Sequence, residues 1–448
     1  MLKTNNIFFF DATEFEQIIQ HYLNIGKLSL AKKATQLGLD QHPASIELKL
    51  LKVEIYVFED NLEKAVELLN EIEAVEPHND EVYIQKASIL SKNSKHKEAV
   101  LILKESLKFV QDPVDVWAMI GMEYMYMDDY ENARLNFAKC IDVDYEDYSS
   151  LYNIVYCFEM QEKQEEAIRF LNAYVDKNPY SEVAWHQLGR QYFELEMYKE
   201  ALTSFDYAVL IDEGFLGGYI EKAKTLEELG RFEEAIENYL ITLELDDPTA
   251  FAYIRIGECF NELNDTKAAI KYFKKAVNED PLLDKGWVIL TDAYLDQENH
   301  HKALYYITKA LQIDDSNPIY WRKYANINVK LSFFDEATKA LERCIDLGDV
   351  DIDIYIALAD VLLLLGNYEY ALKVLVKGKK IYREFAEIEY RLCGLFMILN
   401  KQDYSIMHLK NAIAIDFEYH QVVKELYPKV FETEAVKKTI TNYQKAIK

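Results

Sequence analysis

Apolar and polar positions along this chain follow a pattern that recurs every 34 residues. It runs twelve times without insertion over residues 12–419, and each unit holds two amphipathic stripes. Counting from the first residue of each unit, position 4 is large and often aromatic, as in Tyr83, Trp117, Trp185, Tyr253, Trp287 and Trp321. Position 8 is small (Ala87, Gly121, Gly189, Gly257, Ala325) and position 11 is large again (Tyr56, Tyr124, Tyr192, Tyr294). Steps of four and three put these positions on one side of a first helix, and positions 20, 24 and 27 form the matching stripe of a second. Position 20 is alanine in eleven units, from Ala31 to Ala371, and Ser405 in the twelfth. Small residues at 8 and 20 predict a close approach of the two helices, with Phe137, Phe205, Tyr239 and Phe273 at position 24 filling the space beside them. Asp128-Asp129, Gly230-Arg231, Asn264-Asp265 and Gly366-Asn367 supply turns between the stripes. Seven of the eight prolines fall at unit junctions, where a missing N–H and a clash with the preceding turn end a helix.

A period of this length is the mark of stacked helical units. Trp185, Leu188, Gly189, Tyr192, Ala201 and Phe205 reproduce a known signature residue for residue, as do Trp117, Gly121, Tyr124, Ala133 and Phe137. Gly257, Ala269, Phe273 and Pro281 do so in the eighth unit. On these residues the chain resembles the tetratricopeptide repeat family over about nine tenths of its length, and it looks like bacterial proteins of that family to which no activity is attached. The resemblance implies an all-α fold: a right-handed α-solenoid, or superhelix, of about twelve helix-turn-helix units. The expected organisation is a lead-in at 1–11, twelve units at 12–419 and capping helices at 420–448. The outer units depart most from the pattern: Lys49 and Glu389 replace the aromatic, and Ile19 and Val53 the small residue. End units have water on one side. Residues 420–427 and 432–448 read as two short helical stretches parted by Pro428, with Val422, Val423, Leu426, Val436, Ile440, Tyr443 and Ile447 as the covering apolar face.

The chain is acidic, with a net charge of −27. Residues 114–249, the fourth to seventh units, carry −20 of it, so the middle of the array is the acidic part. Such a charge repels phosphates, and nucleic-acid binding is not expected. The local excess of lysines after residue 420 reads as the solvated face of a cap. The apolar run at residues 7–10 is shorter than a secretory h-region, and no segment approaches the ~18 apolar residues of a membrane span. The expectation is a cytoplasmic chain without membrane insertion. Five cysteines, Cys140, Cys157, Cys259, Cys344 and Cys393, are odd in number and lack CxxC spacing, and they read as small hydrophobes.

Catalytic constellations are missing: there is no P-loop, no HExxH, no GxSxG. His300-His301 is an adjacent pair at a turn, where Asp296 and Glu298 are the available further ligands; it reads as a polar surface pair. No enzyme activity, metal or cofactor is expected. In the family the resemblance points to, positions 2, 5, 9, 12 and 13 of the first helices face a concave groove. Carried onto the acidic segment, this implies a partner-binding face of Met122, Met125, Tyr126, Tyr152, Tyr156, His186, Arg190, Phe193 and Lys224, with Met160 and Ile220 beside them. Tyrosine and methionine are suited to interfaces, one by area with a polar handle, the other by adaptable shape. At positions 12 and 13 side chains also pack between units, so Met125, Tyr126 and Phe193 carry both readings.

Three functions fit. The first is a scaffold or adaptor that takes a basic, apolar protein or peptide segment in its acidic groove. The second is a constitutive subunit of a larger cytoplasmic or membrane-associated complex, and the third a regulator that senses a peptide or ligand. Members of the family that grip a chaperone's C-terminal carboxylate use a Lys and Asn at positions 5 and 9, then Asn, Lys and Arg in the next two units. Arg322 and Asn326 come closest, but the next unit offers Ala357. A chaperone-tail peptide is therefore expected not to bind, and low-micromolar binding by calorimetry would contradict this.

Overall fold

A computed structural model describes residues 9–246 and 248–447. Residues 1–8, most of the expected lead-in, lie outside the described residues, as does the last residue of the expected cap. Among the described residues the ordered elements are twenty-seven α-helices and one 3-10 turn, with no strand. The chain divides into two compact units, one ending at Leu229 and one beginning at Gly230. Each is a stack of antiparallel helix pairs, and each is an all-α solenoid in its own right.

The first unit runs from the helix Ala12–Asn24 to the helix Leu216–Glu228. The second runs from Phe232–Leu245 to Glu434–Ile447. In both, the residue at repeat position 20 is fully enclosed: Ala99, Ala133, Ala167 and Ala201 in the first unit, Ala269, Ala303, Ala337 and Ala371 in the second, all at 0% exposure. Its partner across the pair is the small residue at position 8. A methyl group built on Gly121 would lie 2.7 Å from the Phe137 ring, and one on Gly189 would lie 2.6 Å from Phe205. These distances are shorter than carbon atoms tolerate, so the position-24 ring occupies the space that glycine leaves empty.

The first-helix stripe differs from the sequence expectation in one respect. The most deeply buried residues are at positions 3, 7, 8 and 10, as in Val116, Ile120, Gly121 and Glu123, or Ala252, Ile256, Gly257 and Cys259. The tryptophan at position 4, in the repeats that have one, sits at the margin, whereas Phe15 and Tyr355 at the same position are buried. Its work is partly polar: Trp185 donates its indole N–H to the Pro179 carbonyl at 2.9 Å, Trp287 to Pro281 at 3.0 Å and Trp321 to Asp315 at 2.8 Å. Each ring thus fastens the junction turn six residues upstream.

Position 15, in the turn between the paired helices, has a left-handed backbone in all twelve repeats. Gly26, Gly230 and Gly366 hold it in three; Asp60, Ser94, Asp128, Glu162, Glu196, Asn264, Glu298, Ser332 and Asn400 hold it in the others, with φ between 54° and 62°. Non-glycine residues adopt this conformation at a cost of roughly 1 kcal/mol. Helix N-caps follow at regular places: Asp129, Asp265 and Asn299 accept from backbone N–H groups three residues on, as do Ser45, Asn79, Asp147, Ser181 and Thr249 at the first helices.

The second unit ends in short helices, Gln421–Leu426 and Pro428–Phe431, then Glu434–Ile447. The first two pack on Ala386–Ile398 and the last on Gln402–Ile415. Tyr427 lies over Gly394, and Val423, Tyr427 and Val430 are buried at the spacing of positions 4, 8 and 11 of a further repeat. The covering segment is thus in register with the array. Glu389, at the aromatic's position in the twelfth repeat, is buried between His408 Nδ1 at 2.6 Å and Lys379 Nζ at 2.5 Å.

The left-handed turns give a direct test. Glu196→Gly is expected to raise stability by about 0.5–1 kcal/mol, and Gly366→Val to lower it by at least as much. Urea unfolding midpoints that move the other way would show that these turns are not strained.

Candidate functional site

The residues singled out by repeat position all lie in the first compact unit, on the first helices Val114–Tyr126, Tyr148–Glu159, Glu182–Glu194 and Leu216–Glu228, or at the turn just after. Two of these helices start under firm caps: Asp147 Oδ1 accepts from Ser150 N at 3.0 Å, and Ser181 Oγ from Ala184 N at 3.2 Å. Helical spacing then sets Tyr152 and Tyr156 one turn apart on one helix, and His186 and Arg190 one turn apart on its neighbour.

Between them is an open hollow of about 380 Å³, to which Met125, Tyr152, Tyr156 and Arg190 contribute. Tyr152 and Tyr156 are 43% and 44% exposed, and neither hydroxyl has a hydrogen-bond partner among the described residues. Arg190 is exposed and, among the described residues, has no carboxylate within ion-pair distance. The acids at hand are turned elsewhere: Glu159 accepts from Gln191 Nε2 at 2.7 Å, and Glu221 pairs with Lys224 at 2.8 Å.

The other expected groove residues are placed differently. Met122 and Met125 pack half-buried against the apolar core. Tyr126 is exposed but lies on the His96 ring, at 5.2 Å between centroids, and His96 is itself held by Glu123 at 2.8 Å. Phe193 meets Tyr198 edge-on at 5.3 Å. Met160 is exposed at 49%, Ile220 is half-buried, and Lys224 is tied to Glu221. His186 does not line the hollow. Its ring packs against Phe205 and Phe215, 5.7 and 5.2 Å away, and both ring nitrogens are enclosed without a hydrogen-bond partner among the described residues. Burial drives its pKa down to about 4, against a smaller opposing pull from Glu221.

Sequence reasoning missed three residues of the hollow, Asn153, Glu159 and Gln187. Asn153 and Gln187 occupy position 6, one step beyond the groove positions carried over from the family. It also missed an acidic stretch outside residues 114–249. Burial raises the pKa of Glu54, helped by Glu81 of the next repeat, and burial followed by Glu47 does the same to Glu16. These carboxylates sit at positions 5, 9 and 2 of the first three repeats, whose summed charge of −5 hides the −6 of the second.

Other sequence candidates are quickly placed. Arg322 is occupied by Asp349 and Asp351, with hydrogen bonds of 2.6–2.8 Å. His300 Nδ1 is enclosed without a partner among the described residues. Among the described residues no three His, Cys, Asp or Glu side chains are grouped to hold a metal ion, and no helix is long and apolar enough to cross a membrane. The cysteines are buried and form no disulfide among the described residues, and burial pushes the thiols of Cys157, Cys259, Cys344 and Cys393 up to about 11.

The tetratricopeptide repeat family model matches residues 118–182 and 220–283. A stretch of 171 residues is 25% identical to anaphase-promoting complex subunit 3 of Schizosaccharomyces pombe, covering 37% of this chain. The chain spans a quarter of that relative's length. Among solved structures, residues 41 to the end of MamA from Desulfovibrio magneticus RS-1 are 21% identical over 37% of this chain and 94% of that one, with a TM-score of 0.35. YrrB, described as a TPR protein with an unusual peptide-binding site, is 14% identical over 40% of this chain and 91% of that one, with a TM-score of 0.33.

His186 yields a pH prediction. Its folded pKa lies below the unfolded value near 6.5, so unfolding takes up a proton between about 6.5 and 4, and stability falls as pH falls through that window. Between pH 7 and pH 5 this amounts to about 2 kcal/mol. In His186→Leu the loss on acidification should shrink by about that much in urea unfolding; an unchanged loss would mean that the imidazole is not held neutral.

Proposed function

We propose that this chain, which belongs to the tetratricopeptide repeat family, works as a non-enzymatic protein-interaction scaffold, and that its partner docks on the concave positions of the fourth to seventh repeats. The observation that carries this reading is the hollow between Tyr152, Tyr156 and Arg190. Two half-exposed tyrosines whose hydroxyls have no hydrogen-bond partner among the described residues stand beside a guanidinium with no carboxylate within ion-pair distance among them. Exposed aromatic groups on a rigid support are the usual anchors of an interface. The partner segment is basic and apolar overall. Residues 114–249 carry a net −20, and the carboxyl groups of Glu16 and Glu54 lie near other acids, so a cationic chain is steered in by the field. The expected setting is the cytoplasm.

A second reading, a constitutive subunit of a larger assembly, is favoured by Leu101 and Leu135. Both stand at position 22 of second helices in adjacent repeats, 68% and 60% exposed. It predicts a constant large complex with no free pool on size exclusion of native lysate.

Affinity purification from the native cell with the parent and with Tyr152→Ala/Tyr156→Ala tests the groove. The double variant should lose the parent's most enriched partner by at least ten-fold while keeping its thermal unfolding midpoint. Equal recovery from both would remove the groove from the mechanism.

A further inference from the structure

The hollow's own chemistry differs from that of the segment around it. With thirty acidic and ten basic residues at 114–249, an arginine here has every chance of a salt bridge. Arg190 has none among the described residues, because Glu159 is bonded to Gln191 and Glu221 to Lys224. A second, independent donor lacks an acceptor. Gln187 lines the same hollow, is 1% exposed, and its Nε2 is enclosed with no hydrogen-bond partner among the described residues. A buried amide donor left unpaired costs about 1–3 kcal/mol, and an arginine fork is shaped for the two oxygens of a carboxylate. Both groups sit beside the open tyrosine faces; Met125, Asn153 and Val155 line the rest of the wall, together with Glu159, one of whose oxygens is taken by Gln191.

We propose that the hollow selects a carboxylate: the docking segment, basic over its length, presents one acidic group to Arg190 and Gln187 and an adjacent apolar side chain to Tyr152 and Tyr156. The inference rests on the groove reading above and adds its chemical code. The surrounding acids bring a basic segment to the surface. The hollow then sets its register, because only one position of the segment can reverse sign. A uniformly basic segment would place a cation against Arg190 and leave the Gln187 donor unpaired, so charge alternation discriminates among basic chains that the field alone attracts equally. The carboxylate is the side chain of an aspartate or glutamate within the segment; a carboxyl group at a chain end is the alternative that the test separates from it.

The test is selection of a bead-bound octapeptide library of the form Lys-Lys-x-x-x-x-Lys-Lys, every x randomised over the natural amino acids except cysteine. The full chain is the labelled receptor, and the library is made once with an amidated end and once with a free C-terminal carboxylate. The expected result in the amidated library is at least five-fold enrichment of aspartate or glutamate at one x position, next to an aromatic or aliphatic residue. Arg190→Gln abolishes that enrichment, and Arg190→Glu converts it to lysine or arginine. Retention of the free-acid library alone, without an internal acidic preference, moves the carboxylate to the chain end and overturns the internal one. Arg190 is exposed, so both variants keep the fold, which circular dichroism checks. An acidic enrichment that survives Arg190→Gln, or selected sequences with no acidic position in either library, overturns the carboxylate. Tyr152→Ala/Tyr156→Ala separates the two levels. If it leaves selection intact, or if the parent retains no sequence, the groove reading itself fails; if it abolishes selection while no acidic preference exists, the carboxylate inference alone fails.

Discussion

Everything in this molecule depends on how closely two helices can approach. The side chain at repeat position 20 is completely enclosed in every repeat, and in the most regular pairs a glycine stands opposite, with an aromatic ring lying against its backbone. Dispersion between surfaces packed this tightly is weak per atom and large in sum. It also leaves no tolerance: the Phe205 ring already fills the volume that a methyl group on Gly189 would need. The pair is therefore a rigid block. Regular blocks give regular first helices, and only on regular first helices do residues from neighbouring repeats meet at fixed places. The hollow between Tyr152, Tyr156 and Arg190 is a by-product of that regularity.

Much of this is legible in the sequence, for a physical reason. A repeat that packs only against its neighbours must restate its packing rules every time, so alanine at position 20 and glycine at position 8 recur where the backbone demands them. The turn signals were equally readable: the first residue of Asp128-Asp129, Gly230-Arg231, Asn264-Asp265 and Gly366-Asn367 is in each case the left-handed one. Glu162, Glu196 and Glu298 were not readable as turns, since glutamate carries no preference for that conformation and is held there by the two helices it joins. The burial stripe was displaced by a residue because large aromatics at position 4 look like core, whereas Trp185 and its equivalents lie at the edge and bond to a junction carbonyl.

The site was less legible than the fold. Position in the repeat tells which way a side chain leaves the helix, and Tyr152, Tyr156 and Arg190, chosen by position, line one hollow. It cannot tell what the next repeat sets against that side chain. His186 has the right position and is shut in by Phe205 and Phe215, the second of which belongs to the junction that follows. Gln187 is not among the groove positions carried over to this segment, and its amide, without a partner among the described residues, appears only once the neighbouring groups are in place. Net charge misled in a similar way: it drew attention to the middle repeats, while the apposed acids Glu54 and Glu81 lie in the second and third, where a repeat of −6 is followed by one of +1.

The left-handed turn shared by all twelve repeats bears on how such a chain changes length. Its backbone is the same whether glycine, aspartate, serine, glutamate or asparagine occupies it. A genetic crossover at that point between any two repeats joins ends that already have matching geometry, and it adds or removes a whole 34-residue block without a frayed seam. Natural variation in this lineage should then come in steps of complete repeats, with breakpoints at the hairpin tips and the docking helices carried intact to new neighbours.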